Sequence, residues 1–215
     1  MKGYVVTLMN LPESVKMAER CISSGKKFGV EIEMFPAVWK TESMKERVKE
    51  GLEMSAFDQS WSRVDAVIGN FVSQYRIWKK IKESKEPGIV FEHDAIVVDS
   101  VPDLGKHDLV NLGKPSYGSY GTPGTRGIFP MFSKPGGYIP GAHGYYVTPV
   151  GAEQLINKAK ESGAAPCDLY LCKKLFPNIM EIYPWVIEVD DEFSTIQKEK
   201  GCFAKHNYGG DYKIL

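Results

Sequence analysis

Two carboxylates one residue apart, Glu92 and Asp94, interrupt the apolar stretch Gly88-Ile89-Val90-Phe91-Glu92-His93-Asp94-Ala95-Ile96-Val97-Val98. If the stretch is extended, period-two geometry puts both acids on one face and turns His93 to the other. Carboxylates so close repel unless a cation or a set of donors sits between them. A hard divalent ion such as Mn²⁺ or Mg²⁺ answers that need, because it takes oxygen ligands and keeps positions open for phosphate oxygens. The plainer alternative is that the acids end a strand and face water.

The elements that must position this pair are legible on either side. Tyr4 to Met9 is β-rich and closed by Asn10-Leu11-Pro12, which predicts a first, central strand. Glu13 to Lys27 has helical composition, with Gly25 and Gly29 marking its end. Val30 to Phe35 alternates apolar and acidic residues, a half-exposed second strand closed by Pro36. Together these form one βαβ unit with a right-handed crossover. Thr41 to Met54 is charged and predicts an exposed helix or a mobile segment. Ile68, Phe71, Val72, Tyr75, Trp78 and Ile81 recur at three- and four-residue steps, the clearest amphipathic helix of the chain. Pro87-Gly88 stops that helix and turns the chain into the acidic stretch.

Beyond a short strand at Asp108 to Leu112, the texture changes. Nine of the 21 glycines and five of the 13 prolines fall between Gly113 and Gly144, interleaved with Tyr117, Tyr120, Phe129, Phe132, Tyr138 and the cations Lys114, Arg126 and Lys134. So many aromatics argue against a disordered insertion, and the segment reads as a substrate-facing loop. His143 to Val147 is a strand, with His143 packing beside the sheet. Thr148-Pro149 supplies the cap and first residue of a helix closed by Gly163. Pro166-Cys167-Asp168 opens a shorter helix carrying Leu171, Leu175 and Phe176. Ile179 to Val189 holds short apolar runs broken by Pro184, and a polar tail spans 197–215.

Bulk properties narrow the function. The 215 residues make one generous domain, and 43% hydrophobic with 25% charged residues excludes disordered and collagen-like classes. Lys+Arg and Asp+Glu balance at 27 each, so no net field favours nucleic acid or an anionic membrane. Cys21, Cys167, Cys172 and Cys202 lack metal spacing and read as buried thiols of a reducing, cytoplasmic protein. The first residues lack the apolar run of a signal peptide, and no window approaches a membrane span.

The order of the pieces resembles glycosyltransferase family 25, which contains lipooligosaccharide (lipopolysaccharide-type) and collagen galactosyltransferases. The likeness rests on the Asn10-Leu11 strand end and Phe35-Pro36-Ala37-Val38, then on Ile68-Gly69-Asn70-Phe71-Val72-Ser73-Gln74-Tyr75-Arg76-Ile77-Trp78 and Phe91-Glu92-His93-Asp94-Ala95. It continues through Gly141-Ala142-His143-Gly144-Tyr145-Tyr146-Val147-Thr148-Pro149 and Pro166-Cys167-Asp168 to Ser194-Thr195-Ile196. The resemblance implies an α/β, GT-A-like (Rossmann-like) mixed sheet flanked by helices in a single domain, 1–215. It also implies inverting, metal-assisted transfer of a hexose, galactose or glucose, from a UDP-sugar to a saccharide or glycan acceptor. A lipid-linked acceptor would bring peripheral membrane contact.

Residue by residue, the resemblance places Mn²⁺ or Mg²⁺ at Glu92 and Asp94; His206 of the tail is a further candidate ligand, as in some other GT-A enzymes, against the plainer reading of a solvated histidine. Asp168 becomes the base that takes the acceptor proton, with Asp190 and Asp191 as second choices. The same Asp168 suits the bland role of a first-turn helix acid. Asn10 should lie near the nucleotide at the carboxyl end of its strand, and Ser73 and Arg126 are further donor-binding candidates. This chain departs from the family in three places: His93 stands where an acid is usual, Ser73-Gln74 replaces Ser-His, and no basic residue follows Asn10-Leu11. Diphosphate contacts would then pass to Arg20, Arg63 or the Gly-rich loop. Two rivals remain: a non-catalytic nucleotide- or carbohydrate-binding protein that keeps the fold, and a nucleotidyltransferase.

Overall fold

The computed structural model describes residues 1–59, 63–115, 117, 119–134, 136–189, 195–196 and 213. Its first three strands, β1 (Lys2–Thr7), β2 (Glu31–Pro36) and β3 (Gly88–Phe91), run parallel, with β1 between the other two. β4 (Ala95–Val97) pairs antiparallel with β9 (Ile187–Val189) in a separate ribbon. β5 (Leu109–Asn111), β6 (Gly127–Pro130), β7 (Gly144–Val147) and β8 (Met180–Tyr183) complete a seven-stranded sheet of order β2-β1-β3-β7-β5-β8-β6. β7 is antiparallel to both β3 and β5, and β6 is antiparallel to β8. This is the mixed sheet flanked by helices that the resemblance implies.

Strand alternation sorts side chains into two cores. Tyr4, Val6, Val90, Leu109, Tyr145 and Val147 face a core shared with α3 (Val64–Ser84), α4 (Pro149–Ser162) and α5 (Cys167–Tyr170). Their neighbours Val5, Ile89, Phe91, Val110 and Tyr146 face a second core with α1 (Pro12–Lys27) and the β4–β9 ribbon. Because both faces are covered, the central strands read as continuous apolar runs rather than alternating ones.

The 21-residue α3 is the mainstay of the first core. Phe71 and Trp78 meet Tyr170 at ring separations of 5.0 and 5.6 Å, and Phe176 packs on Tyr170 at 5.3 Å. Such pairs add about 0.5–1.5 kcal/mol each beyond area burial. Gly69 lets the helix start against the chain after β2, since a Cβ there would lie 2.7 Å from the Val38 carbonyl oxygen. On its outer side Arg76 bridges Glu46 (2.6 Å) and Glu50 (2.7 Å), which ties the charged helix α2 (Ser43–Lys49) down.

Four expectations need correction. The acidic stretch is not one strand: β3 ends at Phe91, and Glu92 to Asp94 form a turn closed by the Ala95 N–H on the Glu92 carbonyl (3.1 Å). Gly25 does not end α1 but sits buried within it, against Ile32. The Gly/Pro-rich segment is not all loop, because β6 within it is an edge strand of the sheet. α5 stops at Tyr170, short of Leu171, Leu175 and Phe176. Among the described residues, no helix is long and apolar enough to cross a membrane.

Candidate active site

β1 and β3 are parallel, so their carboxyl ends open on the same edge of the sheet. There the antiparallel register of β3 with β7 runs one step beyond the strands: Phe91 lies opposite Gly144, and the Glu92 N–H donates to the His143 carbonyl (3.0 Å). Cross-strand neighbours project to the same face. Glu92 and His143 are therefore brought together by register, and the turn folds Asp94 back onto them. One ligand atom from each of Glu92, Asp94 and His143 lies within 4.8 Å of the others.

Backbone conformation aims His143. Gly141 (φ +82°) and Ala142 (φ +51°) both lie in the left-handed region, which costs a non-glycine residue about 1–2 kcal/mol. A Cβ on Gly141 would overlap the His143 ring, with even Nδ1 at 2.9 Å. Only glycine allows the imidazole to fold over this turn. Ala142, a non-glycine held in such a conformation beside an acid pair, carries the kind of strain that accompanies a site.

His93 packs against α1, where its Nδ1 meets the Ser14 hydroxyl at 2.6 Å. That hydroxyl also accepts the Leu8 N–H, so Ser14 joins His93 to the end of β1. Burial, and then the nearby Arg20 guanidinium, hold the His93 pKa down to about 4. Arg20 Nη2 also reaches the Asp94 carbonyl at 3.5 Å, which puts a cation next to the acid turn.

Asp168 lies in the first turn of α5 and is half-buried. Its carboxylate accepts from the Tyr117 hydroxyl (3.1 Å) and from the Leu169 N–H (2.9 Å). Burial raises its pKa, and these donors only partly offset the rise. Tyr117 is also hydrogen-bonded to the Gly141 backbone, so it links Asp168 to the turn that carries His143. Lys134 pins Tyr117 in turn, donating to the Tyr117 and Ser119 carbonyls at 2.8 and 2.7 Å. The buried Cys167 thiol, raised well above its usual pKa first by burial, feels both Glu92 and Asp168.

The other expected residues are placed as follows. Asn10 is exposed beyond β1, on the edge shared with Glu92 and Asp94. Ser73 is fully buried; its hydroxyl donates to the Gly69 carbonyl (2.6 Å) and accepts the Val38 N–H (2.8 Å), so it holds the chain after β2. Arg126 precedes β6 and is exposed beside Asp99. β6 is four strand steps from β3, about 19 Å across a sheet, and the structure does not bring Arg126 to the acids. Arg63 starts α3 and donates its N–H to the Ile196 carbonyl (2.8 Å). His206, Asp190 and Asp191 lie outside the described residues. Of the tail, Lys213 is described, and its N–H donates to Glu188.

His143 is the candidate ligand that sequence reasoning missed. Nothing local marks it except Gly141-Ala142 before it; the pairing with Glu92, 51 positions away, appears only once the strand register is known.

No family model and no curated protein match the chain. Among solved structures, it is similar to the galactosyltransferase LgtC in complex with donor and acceptor sugar analogs, at 10% identity over 88% of this chain and 86% of that one, TM-score 0.45. It is also similar to the glycosyltransferase GlyE of Streptococcus pneumoniae TIGR4, at 10% identity over 85% of this chain and 45% of that one, TM-score 0.44. Likenesses at this level concern the course of the chain, and no residue role is carried across from them.

Proposed function

We propose that the chain is an inverting glycosyltransferase that moves a hexose, galactose or glucose, from a UDP-sugar to a saccharide acceptor with the help of Mn²⁺ or Mg²⁺. The observation that carries this reading is the convergence of Glu92, Asp94 and His143 within 4.8 Å at the carboxyl end of parallel strands. Two carboxylates and an imidazole are a donor set that fits Mn²⁺ well, with imidazole favouring it over Mg²⁺. Ligands of open α/β sheets bind at that strand edge.

A bound ion at the cluster supplies positive charge against the departing diphosphate, where an inverting transferase needs most help. Asn10, exposed beyond β1 on the same edge, contacts the nucleotide in this reading. Asp168 is the base: its raised pKa makes it a better proton acceptor near neutral pH. It takes the proton of the acceptor hydroxyl as that oxygen attacks the anomeric carbon from the face opposite UDP. Tyr117 fixes the carboxylate's orientation. Ser73 acts indirectly, by holding the loop after β2.

The test is product analysis with UDP-galactose and UDP-glucose, with water or a saccharide as acceptor. Release of UDP that requires Mn²⁺ and falls at least 100-fold in Asp168→Asn supports the reading. Release of pyrophosphate from UTP and a sugar 1-phosphate, with no UDP formed from the UDP-sugars, would identify a nucleotidyltransferase. No release, with UDP still bound, would identify a binding protein that keeps the fold.

A further inference from the structure

Asn70, Gln74 and Trp78 recur at four-residue steps on α3 and share one face of the helix. That face is otherwise apolar, and Gln74 and Trp78 are completely buried in it. Their polar atoms form one continuous chain. Trp78 Nε1–H donates to the Tyr145 hydroxyl (2.7 Å), which donates to Gln74 Oε1 (2.6 Å). Gln74 Nε2–H donates to Asn70 Oδ1 (3.3 Å), and Asn70 Nδ2–H donates to Glu92 Oε1 (3.0 Å).

The two ends dictate the direction. An indole N–H only donates and an ionised carboxylate only accepts. Both amides between them therefore have one allowed orientation, and every dipole points its positive end towards Glu92. Apolar side chains would fill the same volume without the desolvation that the three buried polar groups, Gln74, Tyr145 and Trp78, cost. The chain ends on a carboxylate of the candidate site.

The geometry points to Asn70, Gln74, Tyr145 and Trp78 as an oriented relay that positions the Glu92 carboxylate for a divalent cation. The cation part rests on the reading of the Glu92–Asp94–His143 cluster given above. The four are positioning residues: none of them contacts the cation position, and each acts through the next. Asn70 matters most because it touches Glu92; Gln74 matters through the orientation it imposes on the Asn70 amide.

Two measurements on the full chain separate the relay from the cation. First, ¹H–¹⁵N spectra without metal report the Trp78 indole N–H, assigned with Trp78→Phe. In Glu92→Gln the acceptor end loses its charge, and the Trp78 resonance, four hydrogen bonds away, should shift while that of Trp185 stays. An unmoved Trp78 resonance overturns the relay. Second, Mn²⁺ titration followed by the free-ion electron paramagnetic resonance signal gives affinities. Partners that orient metal ligands typically contribute a factor of about 10–100 in affinity. Asn70→Leu should therefore weaken Mn²⁺ about 10-fold or more, and Gln74→Leu and Tyr145→Phe by smaller factors in that order. If these variants lose thermal stability but keep wild-type Mn²⁺ affinity, the residues are only core and the positioning role is refuted. If the wild type itself binds no Mn²⁺, the cation reading and the positioning role fall together, and the Trp78 shift still decides whether the relay exists.

Discussion

Replacing Gly141 with alanine perturbs the site through one methyl group. The residue sits at φ +82°, and the new Cβ would meet three atoms of the His143 ring, the farthest of them, Nδ1, at 2.9 Å. Ordinary contact begins near 3.4 Å, so the ring must retreat by at least about 0.5 Å at Nδ1 and by more at its other two nearest atoms. A ligand set tolerates about 0.5 Å of misplacement, so His143 leaves the reach of Glu92 and Asp94. The strain alone costs about 1–2 kcal/mol, and at about 2–4 °C per kcal/mol lowers Tm by about 2–8 °C. Gly51→Ala separates the two effects, because Gly51 has φ +70° and open space around its Cβ position. Both variants should lose similar stability by differential scanning calorimetry. Only Gly141→Ala should lose Mn²⁺ affinity, about 100-fold by isothermal titration. Equal Mn²⁺ affinity in Gly141→Ala and the wild type would refute the assignment of His143 as a ligand.

Further outcomes follow from other contacts. Tyr117→Phe removes a donor that holds the Asp168 pKa down against burial. The acid limb of the pH-rate profile for UDP-sugar hydrolysis should move to higher pH, and an unchanged limb would remove Asp168 from the role of base. Buried Glu181 accepts from Asn111, Trp185 and the Phe132 and Ser133 N–H groups at 2.9–3.0 Å, so it clamps the Gly/Pro-rich segment to β8. Glu181→Gln should cost about 3 kcal/mol and alter Trp185 fluorescence; a stability within 0.5 kcal/mol or so of wild type would contradict the clamp. Hydrogen bonds from Lys49 and Arg76 lower the Glu46 pKa to about 2. The folded-state pKa lies below the usual 4.5, so this contribution to stability is present above about pH 4.5 and is lost as pH falls towards 2. Urea unfolding should show less acid sensitivity between pH 4.5 and 2 in Glu46→Gln than in wild type.

What was legible in the sequence divides along physical lines. β1, the long helix α3 and the Thr148-Pro149 cap are written in local pattern, and the structure has them: Thr148 Oγ1 accepts the Gly151 N–H at 3.0 Å. The acid pair was visible as chemistry, but its shape was not. Glu92 to Asp94 read as extended because apolar β-type residues flank them, whereas the chain must leave the seven-stranded sheet there to join the β4–β9 ribbon. That change of sheet is tertiary, and no single residue announces it. His143 and the relay were hidden for a related reason: each depends on register between elements far apart in sequence. The i, i+4, i+8 row of Asn70, Gln74 and Trp78 lies in the sequence, but only Trp78 belongs to the apolar pattern that predicts the helix. Ser73, beside it, drew attention through resemblance and proved to be the buried support of Val38.

The central claim, a metal-dependent nucleotide site at Glu92, Asp94 and His143, is tested most directly by thermal shift. UDP, GDP, CMP and dTDP are each added with and without Mn²⁺ to wild type and Asp94→Asn. At about 100 times its Kd a ligand adds about 2.7 kcal/mol, or about 5–10 °C for a domain of this size. The account predicts that shift for UDP with Mn²⁺ in the wild type, and neither without the metal nor in Asp94→Asn. No shift with any nucleotide, or an equal shift in Asp94→Asn, would contradict it.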